Sequence, residues 1–262
     1  MKAVHRVLDP SKPAQLPDDL CALAVMTKAP QAGKVKTRLT PPLSSEEAAA
    51  LNTCFLRDTA TAIVMTAKNG KARGIAVYTP VGAEAAYAGI LPDEFELVPQ
   101  RGDAFGERLV CATEDLFQLG FASLCLIDSD SPTVPDQAFA EAVDFLSQAN
   151  DALVLGPSDD GGYYLIGLKK LHRELFDGID WSTERVLEQT IRRAREIDLP
   201  VHLLPTWYDV DDRETLKRLC HELFGTNGSA RAGYPAPATR QFLDELLQRE
   251  GRERVWPNES PA

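Results

Sequence analysis

The stretch Lys28-Ala-Pro-Gln-Ala-Gly-Lys-Val-Lys-Thr-Arg38 brings Lys28, Lys34, Lys36 and Arg38 into one short segment of a chain whose formal net charge is -11. Cations crowded into a loop repel one another unless an anion joins them, and a polyphosphate fits that need best. The segment follows the apolar run Leu23-Ala-Val-Met26 and contains Gly33. A strand feeding a glycine-containing basic loop and then a helix is a geometry that holds phosphates at the strand's carboxyl end. Three acidic clusters, Asp128/Asp130, Asp159/Asp160 and Asp209/Asp211, stand at or near the ends of later apolar runs. Carboxylates and cations belong in one crevice if a polyphosphate and a divalent cation share it. Mg2+ takes one or two protein carboxylates and completes its shell with phosphate oxygens and water. Asp130, in the loop straight after a buried-strand pattern, is the first candidate ligand for Mg2+ or Mn2+, with Asp211, Asp209 and Asp128 as further ones. Asp160 is the candidate to position or deprotonate an acceptor hydroxyl. Gly161 and Gly162 permit positive φ and a close approach of backbone to ligand.

Each motif also has a plainer use. Asp-Ser-Asp-Ser-Pro favours a turn, paired glycines serve a tight turn, and Asp209-Val-Asp211 before a helical pattern suits N-capping. Trp181-Ser-Thr183 reads as a capped helix start beside a packed indole. Arg101, Asp103, Glu107 and Arg108 read as surface charge at a helix start.

The elements that must position these groups alternate strand and helix. Cys21–Met26 is a continuous apolar run, the mark of a strand buried on both faces. Ser44-Ser-Glu-Glu47 is a capping box opening a helix to about Lys68. Strands are expected at 74–78, 95–98, 123–127, 152–155 and 201–204, with extended chain over 163–168. Helices are expected up to Gly120, over 136–148, from Ser182 or Thr183 to Ile197, and up to Phe224. The fold class is α/β, a mostly parallel sheet with helices on both faces. Residues 1–20 read as an irregular leader, 21–224 as the domain, and 225–262 as a Gly/Ala/Pro/Ser linker with a last helix carrying Phe242, Leu243, Leu246 and Leu247. That helix is expected to pack on its own domain, the alternative being a homodimer contact.

At 262 residues, 44% hydrophobic and 26% charged, the chain has the make-up of a globular protein with a real core. Its acidity argues against nucleic acid or an anionic membrane surface as partners. No apolar run reaches the roughly 18 residues of a membrane helix, and the first residues lack the apolar stretch of a signal peptide. The five cysteines are odd in number and widely spaced, the pattern of reduced thiols in a cytoplasmic protein. The four histidines form no ligand spacing.

Taken in order, Thr27-Lys-Ala-Pro-x-x-Gly-Lys-Val-Lys-Thr-Arg-Leu39, Asp130-Ser-Pro132, Gly156-Pro-x-x-Asp-Gly-Gly-Tyr-Tyr-Leu-Ile-Gly167, Trp181-Ser-Thr183 and Asp209-Val-Asp211 resemble the radical-SAM/selenodomain-associated transferase family. This is a glycosyltransferase-like branch of the nucleotide-diphospho-sugar transferases. The resemblance spans roughly 21–224 and implies a single GT-A-like (Rossmann-like) domain. It also implies that Lys28, Lys36 and Arg38 hold phosphates, that Asp130 holds a metal, and that Asp211 or Asp209 is a second ligand. Gly is more usual in the family at Asp128, and Glu at Asp159. The basic loop is similar to that of molybdenum-cofactor and phospholactate guanylyltransferases.

Two reactions follow as expectations. One is glycosyl transfer from a nucleotide-diphospho-sugar to a small-molecule acceptor, with the metal neutralising the departing diphosphate. The alternative is nucleotidyl transfer, in which a phosphorylated small molecule attacks a nucleoside triphosphate and releases pyrophosphate. That reaction needs mostly positioning and charge neutralisation, which Lys28 and Lys36 would supply. A nucleotide-binding scaffold without catalysis is the non-enzymatic reading, and the intact acidic clusters count against it.

Overall fold

The computed structural model describes residues 5–13, 15–148, 150–225 and 233–255. The first strand, β1 (Cys21–Lys28), is buried along nearly its whole length because both of its faces are covered. Leu23 and Val25 join one apolar cluster and Ala22 and Ala24 the other. The small alanines let helices approach closely on that second side, and alternation along the strand does the sorting. β2 (Ala72–Thr79), β3 (Glu96–Pro99), β4 (Ser123–Ile127), β5 (Leu153–Pro157), β6 (Tyr163–Leu168) and β7 (Val201–Leu203) complete one sheet in the order β3-β2-β1-β4-β6-β5-β7. All pairings are parallel except those of β6, which runs against both β4 and β5. The reason is local. Only residues 158–162 separate β5 from β6, and a parallel return needs a crossover of about a dozen residues or more.

One face of the sheet carries α1 (Ser45–Ala67), α3 (Asp136–Leu146), α5 (Arg213–Phe224) and α6 (Pro237–Glu250). The other carries α2 (Phe105–Gln118) and α4 (Val186–Glu196). The capping box read at Ser44 is formed, with Glu47 N donating to Ser44 Oγ at 3.2 Å and Ser44 N to Glu47 Oε2 at 2.9 Å. The cap read at Ser182 or Thr183 differs. α4 starts later, with Arg185 in the cap position and no side-chain cap. The Thr183 hydroxyl donates to the Asp180 carbonyl instead, at 2.7 Å. Residues 5–8 lie along β3: Leu8 N donates to Leu97 O and Leu97 N to Arg6 O, with Val7 bridging Leu97.

Residues 226–232 of the linker lie outside the described residues. Beyond them, α6 packs on α1 through Leu243 and Leu246. Asp58, buried in α1, holds the start of α6 by accepting from Ala238 N at 3.0 Å and Thr239 N at 2.7 Å. No helix among the described residues is long and apolar enough to cross a membrane.

Candidate active site

The strand order reverses direction between β1 and β4, and in an open α/β sheet the ligand crevice opens at that point, beyond the strands' carboxyl ends. Here β1 ends at Lys28 and β4 at Ile127, side by side in parallel register. The loops that follow bring the basic segment and Asp130 face to face. β7 sits three places away, but the chain leaving it returns: Val210 N donates to the Asp130 carbonyl at 2.9 Å. The result is a cleft of about 280 Å³ lined by Lys28, Lys34, Lys36 and Arg38 and by Asp130 and Asp211. The cations and the two aspartates read from distant segments of sequence therefore share one surface.

The four cations are not equivalent. Lys28, Lys34 and Arg38 are exposed, whereas the Lys36 side chain is only 4% exposed. Its ammonium lies 2.7 Å from Asp130 Oδ1 and donates to Asp211 Oδ1 at 2.9 Å and to the Val210 carbonyl at 2.8 Å. Burial works against that charge, but Asp130 and Asp211 outweigh it and hold the Lys36 pKa above its ordinary value. The residue sits in the left-handed region, φ 48° and ψ 39°, a conformation that a non-glycine side chain adopts at a cost. Gly33 makes the other left-handed turn of the loop, with open space where a side chain would project. Arg38 Nη2 donates to the second oxygen of Asp211 at 3.0 Å. Asp212, not Asp211, caps α5, which frees Asp211 to face the cleft.

Asp128 and Asp209 lie behind this front. Asp128 accepts from Asp130 N at 3.1 Å and Ser131 N at 3.2 Å, the turn chemistry expected of an Asp-Ser-Asp-Ser sequence. The Ser131 hydroxyl lies 3.0 Å from Asp128 and 2.8 Å from Asp209, and Ser158 Oγ donates to the same Asp209 oxygen at 3.1 Å. Burial pushes both carboxyls up, Asp128 well above the usual range and Asp209 to about 6, with mutual repulsion adding for Asp128. These two aspartates tie the β4 and β7 loops together, and neither lines the cleft.

The 158–162 hairpin stands apart from the cleft lining. Asp160 is exposed, accepts from Gly162 N at 2.8 Å, and its charge reaches Asp209. Gly161 has φ +89°, and the space a side chain would need is taken by the Glu184 backbone, not left open for a ligand. Its N–H donates to Ser158 O and its carbonyl accepts from Leu187 N at 2.9 Å. Asp159 turns outward to Arg218, whose guanidinium covers the Tyr208 ring. Trp181 packs against the start of α2, its indole in contact range of Gly106 and edge-on to Phe105 at 5.2 Å. Arg101 is engaged by Asp115 and Glu107 by Asp103 N. Sequence reasoning missed Asn52 and Ser129, both in the lining. The signal for Asn52 was a polar residue inside the stripe Asn52, Phe55, Leu56, Thr59 and Ile63 of α1.

Among the described residues no group of three or more His, Cys, Asp or Glu is placed to hold a metal by itself. The cleft nevertheless fits a hard divalent ion. Two carboxylate oxygens and one carbonyl oxygen converge on a single positive nitrogen at 2.7, 2.9 and 2.8 Å. An all-oxygen set with two carboxylates is what Mg2+ or Mn2+ takes when phosphate completes the shell.

The sheet order, the one reversed strand and a charged cleft at the switch point define a nucleotide-diphospho-sugar transferase-like α/β domain. The solved structure of a provisionally assigned nucleotide-diphospho-sugar transferase from Desulfovibrio desulfuricans G20 superposes with a TM-score of 0.74 at 30% identity, over 90% of this chain and 99% of that one. The model of the DUF2064 family, described as an uncharacterized protein conserved in bacteria, matches residues 62–183. The chain belongs to the same family as the Desulfovibrio desulfuricans protein. Fainter likenesses extend to CMP:2-keto-3-deoxy-manno-octonic acid synthetase complexed with CTP (8% identity, TM-score 0.48, 76% of this chain and 96% of that one). The inositol-1-phosphate CTP transferase from T. maritima is similar at 13% identity and a TM-score of 0.45, over 79% of this chain and 98% of that one. Both are too slight to speak to chemistry. No curated protein matches the chain.

Proposed function

We propose that this chain is a metal-dependent transferase that moves a glycosyl group from a nucleotide-diphospho-sugar to a small-molecule acceptor. The observation that carries the reading is the cleft itself, where Lys28, Lys34 and Arg38 stand exposed opposite the Asp130 and Asp211 carboxylates. Lys28 and Lys34, with Arg38 shared between Asp211 and the open cleft, match a diphosphate. Lys36 is already matched by Asp130 and Asp211, so the cleft offers less free charge than the four basic residues of the loop suggest, and less than a triphosphate calls for. The relative from Desulfovibrio desulfuricans G20, provisionally assigned as a nucleotide-diphospho-sugar transferase, supports the same choice, as does the resemblance to radical-SAM/selenodomain-associated transferases.

In this reading Lys28, Lys34 and Arg38 bind the diphosphate and fix its orientation at the end of β1. Asp130 and Asp211 hold Mg2+ or Mn2+, which when bound neutralises charge developing on the departing diphosphate. Asn52 and Ser129 offer polar contacts on the cleft's flanks. Asp160, exposed on the neighbouring hairpin, takes or orients the proton of the acceptor hydroxyl. Gly161 and Gly162 shape that hairpin and let α4 approach. The five free thiols support a cytoplasmic reading.

The second reading is nucleotidyl transfer from a nucleoside triphosphate to a phosphorylated acceptor. It is favoured by the length of the basic loop, which offers cations from Lys28 to Arg38 along one edge of the cleft. A panel of nucleotide-sugars and nucleoside triphosphates with Mn2+, read by thermal shift and product analysis, separates the two. Stabilisation by a nucleotide-sugar with slow release of the nucleoside diphosphate is the expected result. Pyrophosphate released from a triphosphate on adding a phosphorylated acceptor would replace glycosyl by nucleotidyl transfer.

A further inference from the structure

Lys36 is placed unlike its neighbours in the basic loop. Lys28, Lys34 and Arg38 are exposed. The Lys36 ammonium instead turns inward, 4% exposed, and fills the gap between Asp130 and Asp211, where it meets three oxygens at 2.7, 2.9 and 2.8 Å. Its Nζ also lies 5.4 Å from the centre of the buried Phe55 ring. A lysine that only contacted phosphate would present its charge to the open cleft. This one occupies the position that a cation shared by the two carboxylates would take.

Resting on the functional reading above, we propose that Lys36 is a built-in stand-in for the divalent ion, and that the metal enters the Asp130–Asp211 gap by exchanging with its ammonium, which then turns to the polyphosphate. The physical case is one of competition and charge balance. Two cations cannot share those oxygens, because a divalent ion a few ångströms from the ammonium is strongly repelled. Without ligand the cluster is balanced, since Asp130 and Asp211 are matched by Lys36 and Arg38. A metal arriving alone breaks that balance. A metal arriving with a polyphosphate restores it, because the phosphates take up the displaced lysine. Lys36 is therefore a positioning residue that couples the two binding events and keeps the carboxylates apart from metal until phosphate is present.

Two measurements on the full chain test this. The first is the affinity for Mn2+ alone, read from the EPR signal of free Mn2+, for wild type, Lys36→Met and Arg38→Met. Removing the competitor should tighten Mn2+ binding by about tenfold in Lys36→Met, within the usual range of coupling between sites. Arg38→Met removes the same charge without emptying the gap and should change the affinity far less. Equal effects in the two variants, or weaker binding in Lys36→Met, would overturn the exchange while leaving a metal site in place. No Mn2+ binding by either wild type or Lys36→Met would remove the metal from the functional reading and the exchange with it. The second measurement needs no variant: acetylation of lysines by an amine-reactive ester, followed residue by residue by mass spectrometry. Lys36 should be protected in the free protein, become reactive with saturating Mn2+, and be protected again when inorganic pyrophosphate is added, with Lys28 and Lys34 as exposed references. Lys36 that stays protected under saturating Mn2+ would refute the exchange.

Discussion

At the scale of single residues, the cleft separates aspartates that touch ligand space from aspartates that hold loops. Asp130 and Asp211 are each 36% exposed and face Lys36, so Asp130→Ala or Asp211→Ala is expected to abolish Mn2+-dependent thermal stabilisation while leaving the circular dichroism spectrum unchanged. Asp209 behaves differently. Its carboxyl is pushed up to about 6 from 3.8, chiefly by burial. Below the ordinary carboxylate range it is protonated both folded and unfolded and costs nothing. Between 3.8 and about 6 the unfolded chain ionises this carboxyl while the native state keeps it protonated, so native stability falls across that window and stays lower above it. Asp209→Asn escapes that loss and can still accept from Ser131 and Ser158. In EDTA it should therefore match wild type near pH 3 and exceed it by on the order of 2–3 kcal/mol at pH 8, the size expected of such a shift. Urea denaturation at both pH values measures this, and a constant difference would contradict it. The sequence alone ranked Asp130 first but could not separate Asp211 from Asp209 as the second ligand. Both are Asp in one acidic cluster, and what separates them is which serine hydroxyls fold over which carboxylate. Lys36 was legible as a member of a basic loop, but its inward turn depends on Val210 and Asp211, 174 and 175 residues away.

At the scale of elements, strands and helices were readable because apolar periodicity and caps are local. Ser123–Ile127 appears with the expected bounds, and Ser44 caps α1 as its capping box requires. Where the reading missed, a competing local bond intervened. Thr183 gives its hydroxyl to Asp180 and α4 begins at Val186. Two substitutions test the joints. Gly161→Ala places a methyl against the Glu184 backbone at a positive φ, so it should destabilise the fold by roughly 2 kcal/mol or more, measured by thermal unfolding. Asp58→Ala strips the acceptor from Ala238 N and Thr239 N. A loss of about 1–2 kcal/mol is expected, with amide exchange in α6 accelerated well before that in β1 or β4. Uniform acceleration would mean that α6 is not a separately anchored element.

For the whole molecule, charge has two scales that oppose each other. The chain carries a formal net charge of -11, while Lys28, Lys34 and Arg38 crowd one edge of the cleft. These cations are exposed, so added salt screens them, and polyphosphate binding should weaken steadily as ionic strength rises. Lys28→Ala should weaken pyrophosphate binding and flatten its salt dependence, which calorimetry at two salt concentrations would read. An unchanged salt slope would place the phosphates elsewhere.

The reversed strand β6 adds an asymmetry of stiffness. Its short hairpin is fixed by backbone bonds from Ser158 N to Gly162 O, Asp159 N to Trp207 O and Leu187 N to Gly161 O, and through Ser158 it braces Asp209. The segment from Ala29 to Lys36 is tied to β2 by Ala29 N to Thr79 O, within its own turns by Lys34 N to Gln31 O and Leu39 N to Lys36 O, and to the loops after β4 and β7 through the Lys36 ammonium. Segments with few such fastenings open at lower free energy. The cleft thus has a yielding edge in the basic segment and a stiff hairpin standing beside it, and with Asp160 serving the acceptor as proposed, it should forgive variation in the donor's phosphate end more readily than variation in the shape of whatever molecule receives the group.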